Sequence, residues 1–94
     1  MKKRTDIFEY RGRTFEVVTV MEAGFHGAMA AAHIYEVVRP SWKIFRTRWL
    51  DTKNFWINDF NTIAEGAEMM LCRVLATEDK DKEIMEKWEN FLNK

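Results

Sequence analysis

Residues 39–57 read RPSWKIFRTRWLDTKNFWI, a stretch that holds three of the four tryptophans, the only proline and five of the fifteen basic residues of this 94-residue chain. From Trp42 to Leu50 the side chains alternate. Ile44, Arg46 and Arg48 fall on one side, and Phe45, Thr47 and Trp49 on the other, which is the pattern of a half-exposed strand. Arg39-Pro40-Ser41 marks the turn before it, because proline cannot donate to a central ladder. The polar run Leu50-Asp51-Thr52-Lys53-Asn54 reads as a reversal, with Phe55-Trp56-Ile57 returning as a short further strand.

Working toward the N-terminus, His33-Ile34-Tyr35-Glu36-Val37-Val38 is rich in β-branched and aromatic residues and predicts the preceding strand. Met21 to Ala32, MEAGFHGAMAAA, breaks that pattern with Gly24 and Gly27 and reads as a loop with a helical turn at Ala28 to Ala31. Before it, Ile7 to Tyr10 and Arg13 to Val20 flank Gly12 as the two arms of a hairpin. In the second arm Phe15, Val17 and Thr19 share one face, while Glu16, Val18 and Val20 share the other. Neither face is purely polar, so the sheet is expected to carry a second layer, an oligomer contact or a binding surface on its spare side. Met1 to Thr5 reads as a disordered basic tail.

Toward the C-terminus, Thr62 and Glu65 form a capping box that opens a helix. Ile63, Ala67, Met70, Leu71, Val74 and Leu75 line one of its faces. Gly66 costs helix stability, roughly 1 kcal/mol relative to alanine, so its expected purpose is a close approach of backbone to sheet. The run Thr77 to Lys82, TEDKDK, places charge in the apolar register and predicts a break. Ile84, Trp88, Phe91 and Leu92 then make a second, shorter stripe that must dock on the domain or on a second copy, because a helix below about 12 to 15 residues is marginal alone.

The fold expected from these readings is α+β, in a single domain spanning 1–94. Residues 1–5 form the tail, and residues 6–58 an antiparallel meander sheet of four or five strands. A main helix over 62–77 packs on one face of the sheet, and a shorter C-terminal helix covers 82–93. With 47% hydrophobic and 32% charged residues the chain can bury a core, and no apolar run approaches the ~18 residues of a membrane span. Met-Lys-Lys-Arg is followed by Asp6 and Glu9 and not by an apolar signal segment, and Cys72 has no partner for an internal disulfide. A cytoplasmic protein is expected.

Catalytic frames are missing from the sequence. There is no glycine-rich phosphate loop and no histidine pair at metal spacing, and neither His26 nor Cys72 stands in a recognisable nucleophile frame. The expectation is therefore a non-enzymatic module without cofactor or metal. The formal charge is zero but unevenly placed: residues 1–54 hold ten basic and six acidic side chains, residues 55–94 five and nine. Aromatic area beside cationic donors suits an interface, so the expected partner-binding residues are Arg39, Trp42, Lys43, Arg46, Arg48 and Lys53. The expected function is a small protein-binding module that acts by association, as a homo-oligomer, an adaptor or an inhibitor of a larger bacterial or phage protein. The alternative is a nucleic-acid-binding module using the same basic and aromatic strand, with Arg46 and Arg48 on phosphates or bases. Both versions place the helix over the aromatic side of that strand, leaving the arginines to present.

Overall fold

The computed structural model describes residues 2–24, 27–38 and 46–92, the side chains of Ala23 and Arg46 excepted. Four strands, β1 (Lys2–Tyr10), β2 (Arg13–Gly24), β3 (Gly27–Val38) and β4 (Arg46–Trp56), pair antiparallel in the order β1-β2-β3-β4. A 3-10 turn at Ile57–Asp59 leads to one helix, α1 (Ile63–Leu92). The α+β meander sheet followed by a long helix is thus as the sequence implies. The expected strand at Trp42–Phe45 and the expected loop position of His26 lie outside the described residues.

Arg11 and Gly12 close the first hairpin with φ of 53° and 74°. Positive φ at both central residues is what a two-residue turn needs to match strand twist, and glycine supplies one of them without strain. β1 starts earlier than the sequence suggests. Lys2 to Thr5 are not a tail but pair with Val18 to Met21, because β2 is long enough to offer its ladder to them. β2 in turn runs on to Gly24, and β3 begins at Gly27, so the expected loop with its helical turn at Ala28 to Ala31 is strand instead. Alanine is a poor strand former in isolation, but packing overrides that preference. Ala30 and Ala32 are buried in the same cluster as Ala67, Met70 and Leu71, where small side chains make room for the helix.

β4 corrects a second expectation. Leu50 to Asn54 is no reversal; the strand passes straight through. Its register against β3 shifts between Ile34 and Tyr35, which face Asp51 and Trp49, so that Leu50 is the extra residue of a bulge. An edge strand can hold such a polar run because its side chains stay solvated.

The helix also differs from its expected form. It is continuous for 30 residues, with no second, shorter helix after a break. Charge within TEDKDK does not interrupt it because that segment lies at the hairpin, where burial is not required. Glu78 binds Arg13, Asp79 binds Arg11, and the Thr77 hydroxyl donates to the Arg73 carbonyl at 3.0 Å. At its start the Glu65 amide donates to the Thr62 side chain at 3.1 Å, as the capping pattern requires. Gly66 makes the close approach foreseen for it: a Cβ there would stand 2.8 Å from Phe55 Cζ and closer still to Cε2.

The core lies between α1 and one face of the sheet. Phe15 and Val17 of β2, Ala30, Ala32 and Ile34 of β3, and Phe55 of β4 meet Ala67, Met70, Leu71 and Val74. Phe55 also packs edge-on against Phe60, with centroids 5.5 Å apart. Thr19 is buried in the same layer, and its hydroxyl has no partner among the described residues.

Candidate functional site

The face of the sheet opposite α1 is covered by no described element. Strand pairing places Ile7 beside Glu16, Val18 beside His33, Val20 beside Ala31, Met29 beside Trp56, and Tyr35 beside Trp49 on this side. Ile7, Met29, Trp49 and Trp56 are exposed, both tryptophans substantially so, at 58% for Trp49 and 44% for Trp56. Single exposed apolar residues are ordinary, but a contiguous set on one sheet face marks an interaction surface.

The bulge at Leu50 builds this surface. Seven residues apart, Trp49 and Trp56 would point to opposite faces of a regular strand; the extra residue brings them to the same one. They stand at the two ends of a trough. Between them Ala31 and His33 form a low floor, and Val20, Glu22 and Asn54 line a shallow depression beside it. The floor is held in place by hydrogen bonds. Thr52 Oγ1 lies 3.0 Å from His33 Nδ1 and accepts from Trp49 Nε1 at 3.2 Å.

The opposite, helix-covered side gathers the arginines. Glu36 accepts two bonds from Arg13, each 2.9 Å, and a third from Arg48 Nη2, also 2.9 Å. Arg13 reaches on to Glu78 at 3.0 Å, and its guanidinium lies 5.0 Å from the centre of the Phe15 ring. The hydrogen bonds from Arg13, outweighing partial burial and joined by Arg48, hold the Glu36 carboxyl below the usual carboxylate range. Tyr10 on the same side donates to Glu68, and that bond raises its hydroxyl above the ordinary phenol range.

Of the six residues expected to bind a partner, Arg39, Trp42 and Lys43 lie outside the described residues, as does the side chain of Arg46, whose backbone pairs with Val38. Arg48 lies on the helix side of the sheet with its charge answered by Glu36, and Lys53 lies opposite Ala32 on that side, 3.5 Å from Asp51. The expected orientation is therefore reversed: the helix covers the side carrying Arg48, and Trp49 faces the open side. Glu36 provides the reason. A carboxylate opposite Arg48, joined to Arg13 and Glu78, lets the arginine lie on the helix side without an uncompensated charge.

A second exposed apolar surface lies on α1. Every residue from 76 to 92 is exposed, including Ile84, Met85, Trp88, Phe91 and Leu92. Trp88 and Phe91 pack edge-on, with centroids 6.2 Å apart. The lone cysteine, Cys72, is exposed and not part of the buried stripe. Among the described residues no three His, Cys, Asp or Glu side chains group as metal ligands would, and no helix is long and apolar enough to cross a membrane. No protein-family model, no curated protein and no solved structure matches this chain.

Proposed function

We propose that this chain is a small binding module that works by association with another protein surface, without catalysis, and that the uncovered sheet face is where the partner sits. One observation carries the reading: Ile7, Met29, Trp49 and Trp56 are exposed together on a face that no described element covers. Tryptophan and methionine are enriched at interfaces, and buried tryptophans dominate binding energy where they occur. The polar residues of this face also favour a protein over a nucleic acid. Glu9, Glu16 and Glu22 oppose phosphate there, whereas Arg13 and Arg48 lie across the sheet and are engaged by Glu36. The reading covers a homo-oligomer, an adaptor or an inhibitor of a larger bacterial or phage protein, and the unpaired cysteine suits a reducing, cytoplasmic setting.

A photo-crosslinking amino acid placed at Trp49 and, in a second variant, at the exposed helix residue Met69 tests this in cells. A discrete protein adduct from position 49 and none from position 69 is the expected result. No protein adduct from position 49, or adducts to nucleic acid instead, would overturn it.

A further inference from the structure

The apolar side of residues 80–92 continues the buried side of residues 63–79. At about 100° per residue, the mean direction of Ile84, Met85, Trp88, Phe91 and Leu92 lies within roughly 30° of that of Ile63, Ala67, Met70, Leu71 and Val74. The helix therefore leaves the sheet past Asp79 with its apolar side still turned the way the sheet lies, but with no sheet beneath it. Lys82, Glu83, Glu86, Lys87 and Glu89 fall on the far side, where they remain solvated when the apolar side is covered. Apolar residues at 84, 85, 88, 91 and 92 make a wide band, better suited to lying on a sheet than to the narrow seam of a two-stranded coil.

We infer that the occupant of the open sheet face is the projecting helix half of a second copy, exchanged reciprocally about a two-fold axis lying in the plane of the sheet. Such an axis turns the second copy over, so that its uncovered face looks up beneath the first copy's projecting half while its own projecting half passes under the first copy's uncovered face. Each copy supplies one band and one trough, as an isologous contact requires. The dimensions agree. Met29 to Tyr35 spans about 20 Å of strand, and Ile84 to Leu92 spans about 12 Å of helix, so the band fits between the Trp56 and Trp49 ends over the low floor at Ala31.

The area is also sufficient. Nine large apolar side chains are exposed on these two surfaces, four on the sheet and five on the helix. Together they offer on the order of 1,000 Å² per protomer, against the ~800 Å² per partner of a standard interface.

This inference rests on the association reading and names its partner. Sedimentation equilibrium of the full chain from about 1 to 100 µM, the range of micromolar affinity, is expected to show double the monomer mass at the upper end. Trp88→Glu with Phe91→Glu, and separately Trp49→Glu with Trp56→Glu, should each weaken the dimer at least ~30-fold while melting like the monomer. Mixing the two variants should recover a heterodimer, because one intact band then meets one intact trough. The alanine versions of both variants give the same ordering if the charged ones lose their fold.

A monomer at every concentration overturns the inference, and so does a mixture that forms no heterodimer. A sheet variant that dimerises like the unmodified chain overturns it as well, because the helix bands would then be pairing with each other. If the chain is monomeric and Trp49 still crosslinks to another protein, the association reading stands and the self-exchange falls.

Discussion

The two halves of α1 carry similar apolar stripes and have opposite surroundings. In residues 63–79 the stripe is buried: Ala67, Met70 and Leu71 have almost no accessible surface, and the last turn of this half is tied to the first hairpin by Arg11 and Arg13. In residues 80–92 a stripe on the same side of the helix is bare, and Phe91 and Leu92 expose more than two thirds of their surface. Helical periodicity marks a face that needs cover; it does not say what supplies the cover. For the first half the chain's own sheet does so, and for the second half the cover is sought in another molecule.

The comparison predicts its largest effect at the centre of the buried half. Leu71→Ala should cost on the order of 2 to 5 kcal/mol, because it removes a fully enclosed side chain, whereas Ile84→Ala in dilute protein should cost no more than about 0.5 kcal/mol. Urea unfolding of both variants measures the two directly, and equal costs would abolish the distinction between the halves. Gly66→Ala should follow, at about 1 to 3 kcal/mol. Its Cβ meets the ring of Phe55, which is held between the core and Phe60 and has little room to retreat. Alanine is ordinarily the better helix former, so a stabilised variant would mean that the contact with β4 is loose.

The carboxylate that ties β3 to the hairpin gives a smaller effect with a defined pH dependence. Glu36 is held below its usual range by Arg13 first and Arg48 also. A lowered folded-state pKa contributes stability above the unfolded value of about 4.3 and loses it as pH falls through the folded value. Glu36→Gln should therefore cost about 1 to 3 kcal/mol at neutral pH through loss of charge-assisted bonds, and the gap from the unmodified chain should narrow as the pH drops below the carboxylate range. A gap that stays constant on acidification would show that the ion pairs do not hold the two together.

Much of this architecture was legible in the sequence, and the parts that were not share a cause. The capping residues Thr62 and Glu65, the close approach at Gly66, the alternation in β2 and the spare apolar face follow from local chemistry. The open surface does not, because Trp49 and Trp56 share a face only through the extra residue at Leu50. A bulge is set by pairing with β3, and a strand read alone does not record it. Arg48 misled for a related reason: two arginines on one side of a strand look like a presenting surface until Glu36 from the neighbouring strand and Glu78 from the helix are brought beside Arg13 and Arg48. The continuity of α1 through TEDKDK depended on the same distant partners, Arg11 and Arg13. Local rules describe which side chains want cover, and long-range pairing decides which of them obtain it.

Amide hydrogen exchange along α1, followed as protein concentration is raised through the micromolar range, tests the central claim most directly. The account predicts that residues 63–79 are protected at every concentration, whereas residues 80–92 exchange quickly in dilute protein and slow as association proceeds, together with the amides of β3 and β4 beneath Trp49 and Trp56. Protection of residues 80–92 that is already complete in dilute protein, or that never appears at any concentration, would contradict it.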